Sequence, residues 1–300
     1  MRKIPYLKHI KVATICIAIT LAVYIGLSIF GAVRVMEIPR LPLTGSPASV
    51  GLDYEDITFI SRDDEVRLGG WYIPGEGKAI IVIVHGGFQN RIDQNVDTLG
   101  LARDLVAKGY DILLFDLRGR GESAGKGLSL SNIERDIGGA VDYLINKGYE
   151  AKNIVLLGFC SGAASSCIFT SQESIGALIL DGCFPTVRNI VTREVAKRGI
   201  PELLLDLFSP GILFMARVIY GYEVVDPLNV ISRISCPIFF IHEDNDYFIT
   251  SEEIYGLYQA SNNPANEIWE VSTTEHSQAY KTHPYEYVEK IDNFLSVKLK

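Results

Sequence analysis

The residues with the clearest chemical potential form the sequence Gly-Phe-Cys-Ser-Gly at 158–162, directly after the apolar run 154–157. Two glycines flank a central cysteine at the spacing of a nucleophile elbow, a sharp strand-to-helix turn that exposes a reactive side chain at its apex. Glycine suits the flanking positions because a side chain there would crowd the turn. The pattern predicts that Cys160 is a nucleophilic thiol where a serine is usual.

A cysteine attacks as its thiolate, so Cys160 needs a base or a cationic neighbour. His276 can serve as this base. Asp246, thirty residues earlier in the chain, can fix the tautomer of the imidazole and stabilise its charged form. Asp246 follows the apolar run 238–241 and His276 follows the predicted last strand at 267–271, so both lie in loops after strands.

Each of these assignments has competitors. Cysteine is among the most buried residue types, so Cys160 could belong to the core. Ser161 could be the nucleophile instead, although the two glycines would then stand at the wrong offsets. Asp244, through a loop shift, or Asp181, at the end of its strand, could replace Asp246. The other candidate histidines fit structural or surface roles better: His85, His242 and His283.

Apolar runs alternate with helical patterns over most of the chain. Continuous apolar runs of this kind are typical of strands buried on both faces of a parallel sheet. Two further segments, 56–60 and 67–73, flank a turn-rich junction and predict an antiparallel hairpin. Ligands bind outside the carboxyl ends of the strands in such sheets, which is where the chemical motifs fall. The predicted parallel strands are 80–84, 112–115, 154–157, 177–180 and 238–241.

Several motifs together resemble those of the α/β-hydrolases, and the resemblance extends from Gly51 to the C-terminus. It is strongest to the bacterial serine aminopeptidase-like branch. It implies a mostly parallel sheet with helices on both faces, and a triad in the chain order nucleophile, acid, histidine: Cys160, Asp246 and His276. The motifs are His-Gly-Gly-Phe at 85–88, the segments 115–123 and 158–162, Asp226-Pro227, Cys236-Pro237, the segment 241–246 and Glu275-His276.

The same resemblance implies an oxyanion hole made by two backbone N–H groups. These belong to Ser161 and to Gly87, with Phe88 as the alternative to Gly87. Preorganised donors of this kind contribute roughly 10²–10³ in rate each. Cysteine nucleophiles occur in this fold in dienelactone hydrolases and polyhydroxyalkanoate synthases, so the resemblance implies ester or thioester cleavage through an acyl-Cys160 intermediate.

The alternatives are an acyltransferase with the same intermediate, a peptidase-like hydrolase and a non-catalytic protein of the same fold. Amide cleavage is disfavoured because a thiolate is a better leaving group than an alkoxide. No cofactor is expected, because the chain has no phosphate-binding glycine loop and no complete dinucleotide fingerprint. The five cysteines lack C-x-x-C spacing, which disfavours zinc, and a disulfide such as Cys183–Cys236 stays open.

Residues 12–33 carry no charge and are long enough to cross a bilayer as a helix. The alternatives are a cleaved signal peptide and a buried helix. Four Lys or Arg precede the run and two Arg follow it, which favours a cytoplasmic N-terminus (1–11) and an extracytoplasmic main domain. Residues 34–50 are expected to link the span to the domain at 51–300. The remainder of the chain after residue 40 has a formal charge of −13, which argues against a nucleic-acid partner.

The segment 184–236 interrupts the alternation of strands and helices. Its pattern predicts three helical pieces at 187–197, 202–207 and 212–220, with many apolar side chains. An insertion at this point of the fold is expected to form a lid over the mouth of the site. Its apolar positions could otherwise be the small core of the insertion alone.

Overall fold

The computed structural model describes residues 6–128, 132–197, 199, 201–272 and 275–299. The chain divides into two units. The smaller contains Met1–Glu37 and Val195–Glu223, and the larger contains Ile38–Glu194 and Val224–Lys300. The larger unit holds the sheet and every candidate site residue.

The larger unit is built on one eight-stranded sheet with the order β1-β2-β4-β3-β5-β6-β7-β8. β2 pairs antiparallel with β1 and β4, and the pairs from β4 through β3 to β8 are parallel. The predicted hairpin and the mostly parallel sheet are therefore confirmed. The strands are β1 Glu55–Ile60, β2 Arg67–Ile73, β3 Ile80–Val84, β4 Asp111–Phe115, β5 Ile154–Phe159, β6 Ala177–Asp181, β7 Ile238–Glu243 and β8 Glu267–Val271.

The central strands are buried on both faces because helices cover the sheet on each side. In β3, Ile80, Val82 and Val84 pack into one apolar cluster, and Ile81 and Ile83 pack into the other. This alternation follows from the two-residue period of a strand. Each such side chain contributes about 1.5–3 kcal/mol when it is buried. The prediction that the continuous apolar runs form the central strands is therefore confirmed.

Helices of the larger unit follow the strands as the alternating pattern predicts. α3, α4 and α8 supply side chains to the first cluster, and α2 and α10 to the second. The helices are α2 Thr98–Ala107, α3 Ile133–Lys147, α4 Ser161–Thr170, α5 Val187–Lys197, α7 Pro227–Val230, α8 Ser251–Ser261, α9 Ala279–Thr282 and α10 Pro284–Lys298; α5 crosses the boundary between the units.

The strand order reverses at β3, which lies between β4 and β5. Such a reversal opens a crevice outside the carboxyl ends of the two neighbouring strands. Val84 at the end of β3 is in register with Gly158 near the end of β5. The loop that begins at His85 and the turn at Cys160 therefore emerge side by side.

The smaller unit contains two long helices, α1 (Tyr6–Met36) and α6 (Glu202–Tyr220). α1 extends the charge-free run in both directions. The separate helical pieces predicted at 202–207 and 212–220 are wrong, because α6 continues without a break through Pro210. Packing against α1 holds α6 helical across this proline, since Ser28 of α1 lies against Gly211. The role of 184–236 as a lid stays a prediction.

The residues directly after α1 are hydrogen-bonded to the larger unit, and the role of 34–50 as a linker stays a prediction. Helix α1 ends at Met36, and the following segment belongs to the larger unit. The Ile38 amide donates to the Gly127 carbonyl at 3.0 Å, and the Arg40 guanidinium donates to the Ser123 carbonyl at 2.7 Å. The segment around Ile38 and Arg40, whose sequence shows no periodicity, is therefore held by hydrogen bonds to backbone carbonyls of the loop after β4.

Candidate active site

Cys160 occupies the turn between β5 and α4 with φ 52° and ψ −114°. A positive φ is rare for a residue with a side chain and costs about 1–3 kcal/mol. The turn is held by its own backbone, since the Cys160 amide donates to the Asp181 carbonyl at 3.0 Å and the Ala164 amide donates to the Cys160 carbonyl at 3.1 Å. Such strain is retained where the fold must present a side chain at an apex.

The two flanking glycines are required by close backbone contacts. A Cβ on Gly158 would lie 2.6 Å from the backbone of Ala163, and a Cβ on Gly162 would lie 2.3 Å from the Val84 carbonyl oxygen. Both distances are far below van der Waals contact, and backbone atoms cannot swing aside. The close backbone packing of the turn therefore explains why glycine stands at both positions.

We expect Gly162→Ala to lower the free energy of unfolding by about 3 kcal/mol, because the added methyl group overpacks against β3. Gly256→Ala is the matched control, since nothing lies within 4 Å of a Cβ there. It is expected to stabilise helix α8 by up to about 1 kcal/mol. Denaturant unfolding of both variants measures the difference, and equal stabilities would contradict the close-packed turn.

His276 and Asp246 form the second part of the site. The Asp246 carboxylate lies 2.5 Å from His276 Nδ1 and also accepts the amides of Phe248 at 2.7 Å and Ile249 at 3.3 Å. These amides orient the carboxylate, which in turn fixes the ring. The Asp246 side chain is fully buried, so the pair is shielded from competing water.

His276 also interacts with Cys160. Burial lowers the pKa of the imidazole, but the interactions with Cys160 and the hydrogen bond to Asp246 outweigh it, and the pKa lies well above the ordinary value. Nε2 of His276 has no hydrogen-bond partner of good geometry within the described part of the chain. Because Asp246 occupies Nδ1, Nε2 is the ring nitrogen left for a further proton partner.

The loop after β3 lies against the elbow. A Cβ on Gly87 would be 2.8 Å from Ser161 Oγ, and one on Gly86 would be 3.8 Å from Cys160 Cβ. The Gly86 carbonyl accepts from His85 Nδ1 at 2.7 Å. Because a trans peptide points its C=O and the following N–H in opposite directions, this bond turns the Gly87 N–H away from His85.

His85 is thus a neutral brace of the loop. Its Nε2 accepts the Leu117 amide at 3.1 Å, while burial lowers the pKa of the ring to about 3. Sequence reasoning missed the second brace, Arg120, although it quoted the segment that contains it. The Arg120 guanidinium donates to the Gly87 carbonyl at 2.9 and 2.6 Å. Hydrogen bonds from His85 and Arg120 therefore fix the carbonyls of two adjacent peptides, at Gly86 and Gly87.

The competing acids occupy other positions. Asp181 accepts from the Tyr287 hydroxyl at 2.9 Å, and its pKa is raised well above the ordinary value, first by burial. Asp244 contacts the Asn245 side chain and is exposed. Gly182 follows Asp181 with φ 62°, and a Cβ there would meet the His276 ring at 2.7 Å. Only glycine therefore fits between β6 and the imidazole.

Glu243, at the end of β7, is a further buried acid beside His276. Its carboxylate accepts the Ala279 amide at 3.2 Å, and burial raises its pKa to about 7. The ligand atoms of His242, Glu243 and Asp246 lie within 4.8 Å of one another, a set that could hold a metal ion. Each of the three makes a protein contact, with His242 Nε2 3.2 Å from Ser251 Oγ, but His242 Nδ1 and Glu243 Oε2 have no hydrogen-bond partner among the described residues.

Three further cysteines and His283 lie outside the predicted triad, although Cys183 is near enough to Cys160 to interact with it. Cys167, Cys183 and Cys236 are buried free thiols, so the open disulfide Cys183–Cys236 is not formed. Burial raises the pKa of each. His283 precedes α10 and contacts Thr282. Among the predicted site residues, Cys160, Ser161, Gly87, Asp246 and His276 are brought to one end of the sheet.

The sequence from residue 81 to residue 262 matches the model of the alpha/beta hydrolase family. The match covers more than half of the chain, and the sheet order agrees with the fold expected. The chain belongs to the alpha/beta hydrolase family.

Relatives with curated sequences are themselves uncharacterized. The protein YqkD of Bacillus subtilis is 28% identical over 236 residues, which span 75% of this chain and 74% of that protein. The protein Rv2307c of Mycobacterium tuberculosis is 29% identical over 190 residues, or 62% of this chain and 65% of that protein. Neither likeness assigns a substrate.

Solved esterases share the fold. The esterase Pf2001 of Pyrococcus furiosus superposes with a TM-score of 0.73 and 23% identity, covering 88% of this chain and 100% of that one. An esterase of Exiguobacterium antarcticum gives a TM-score of 0.59 and 16% identity, covering 80% of this chain and 99% of that one. These neighbours show the shared fold, and membership of the alpha/beta hydrolase family supports hydrolase activity.

Proposed function

We propose that the protein is a membrane-anchored hydrolase that cleaves an ester or thioester through an acyl-cysteine on Cys160. His276 is the general base and acid, Asp246 orients it, and the N–H groups of Gly87 and Ser161 stabilise the oxyanion. The observation that carries the proposal is the strained Cys160 beside an imidazole that a buried carboxylate holds in place.

The chemistry follows from these positions. His276 takes the proton of the Cys160 thiol, the sulfur forms a bond to the acyl carbon, and the carbonyl electrons move onto oxygen, where two N–H groups can stabilise the charge. The oxyanion then collapses and expels the alcohol or thiol, which takes a proton from His276. Water, deprotonated by His276, attacks the thioester and releases the acid and the thiol. Covalent catalysis thus divides one difficult step into two easier ones.

The finer placement in the serine aminopeptidase-like branch rests on the motifs around His85, Arg118 and Cys160. Ester or thioester chemistry is preferred over peptide cleavage because the thiolate is the better leaving group from a tetrahedral intermediate with an amine. The anchor is proposed from α1, which is long and apolar enough to cross a membrane. The charge pattern around it favours a cytoplasmic N-terminus.

A panel of short p-nitrophenyl esters and acyl thioesters tests the function. The full chain in mild detergent is expected to release free acid, and iodoacetamide is expected to abolish turnover by alkylating Cys160. Addition of amines or alcohols separates hydrolysis from acyl transfer, because a transferase would form acyl product only with the acceptor. No release from any member of the panel would contradict the proposal and favour a non-catalytic protein.

A further inference from the structure

Helix α6 presents an exposed apolar face. Leu203, Leu207, Phe214 and Val218 are 80%, 57%, 61% and 64% exposed. Spacings of four, seven and four residues place these side chains on one side of the helix. Soluble proteins rarely leave such a contiguous apolar surface in water, so this face requires a partner.

Another side of α6 packs along α1 within the smaller unit. The rings of Tyr24 and Phe208 stack with their centroids 5.2 Å apart, and the Tyr24 hydroxyl donates to the Leu207 carbonyl at 3.2 Å. A Cβ on Gly211 would lie 2.2 Å from Ser28 Oγ, so the backbones approach closely. Close contact through small residues is typical of helices that associate within a membrane.

The contacts advance in the same direction along both helices. Tyr24 lies beside Leu207, and the Tyr220 hydroxyl donates to Glu37 at 2.9 Å. Helix α6 therefore runs parallel to the second half of α1, next to the end of the candidate span. Helix α1 also exposes apolar side chains in this half, where Phe30 is 63% exposed and Leu27 is 47% exposed.

We propose that α6 is a second membrane-contacting element, whose exposed face meets lipid acyl chains beside α1. Both helices are long and apolar enough for a membrane by length and composition. Because α6 lies beside only the second half of α1, from Tyr24 to Glu37, it reaches into one leaflet rather than crossing the bilayer. This inference rests on the proposed anchoring by α1 and is independent of the proposed chemistry.

Tryptophan quenching in lipid vesicles tests the contact. The full-length Phe214→Trp variant is reconstituted in phosphatidylcholine with or without bromine on its acyl chains. Brominated lipid is expected to remove about half of the added fluorescence, more with bromine near the headgroup than near the chain end. The natural residues Trp71 and Trp269 both lie in the larger unit and supply a background measured in the wild type.

Two further variants separate the possible outcomes. Tyr285→Trp, on the 79%-exposed Tyr285 of α10, is the control and is expected to show no added quenching. Phe30→Trp reports on α1. Quenching at residue 30 without quenching at 214 overturns the inference for α6 and leaves the anchor intact, whereas quenching at neither position contradicts the anchor itself. If the tryptophan at 214 is not quenched and a Phe214→Cys variant forms cross-linked dimers, the face binds a second copy of the chain. This result also overturns the inference.

Discussion

Replacement of Cys160 by alanine is expected to lower kcat/KM for any ester or thioester that the enzyme cleaves by about 10⁴-fold or more. The loss is large because the sulfur forms the covalent bond on which both half-reactions depend. The backbone N–H groups of the oxyanion hole would remain, so substrate binding should change much less than kcat. Initial rates across substrate concentration separate the two parameters.

Ser161→Ala is the matched control for this variant. It removes the adjacent hydroxyl but keeps the backbone N–H that the proposal uses, so activity is expected to stay within about tenfold of wild type. Ser161 Oγ is buried and makes no hydrogen bond within the described residues, so its removal should cost little stability. A large loss in Ser161→Ala with full activity in Cys160→Ala would make the serine the nucleophile.

Replacement of Asp246 by asparagine is expected to lower kcat by about 10³–10⁴-fold with little effect on folding. The amide can no longer stabilise the imidazolium, and it favours the wrong tautomer of His276. The pH profile supplies a second readout. The Asp246 carboxylate raises the pKa of His276, so its removal lets the imidazolium lose its proton at a lower pH. The alkaline limb of the profile should therefore move to lower pH.

Asp244→Asn tests the assignment of the acid. Asp244 is exposed, and its carboxylate accepts from the Asn245 side chain rather than contacting His276, so neither rate nor pH profile should change. An unchanged alkaline limb in Asp246→Asn, with the loss appearing in Asp244→Asn, would show that the loop adopts another register during catalysis. Circular dichroism of both variants excludes unfolding as the cause.

Most of the larger unit could be predicted from sequence because its central strands are built on continuous apolar runs. A strand such as β3, which is buried on both faces, appears in the sequence as an unbroken apolar run. The elbow could also be predicted from the sequence, because close contacts with the backbone leave room only for glycine at 158 and 162. These features depend on local chemistry that a single sequence displays directly.

Other features depend on contacts distant in sequence and could not be foreseen. Two helical pieces were predicted at 202–207 and 212–220, but α6 is one helix, and α1, far away in the chain, packs against it. The role of Arg120 as a brace of the Gly87 peptide appears only when the two loops meet. In the segment after α1, Arg40 donates to backbone carbonyls, and the sequence does not show which carbonyls lie near it in the fold.

The most direct test of the central claim is mass spectrometry of the acyl-enzyme trapped with a slowly hydrolysed ester at acid pH. The account predicts one acyl group per chain, attached within the peptide that contains residues 158–162 and absent from Cys160→Ala. Release by neutral hydroxylamine would identify it as a thioester. An acyl group on a serine, or no adduct while the ester is turned over, would contradict the account.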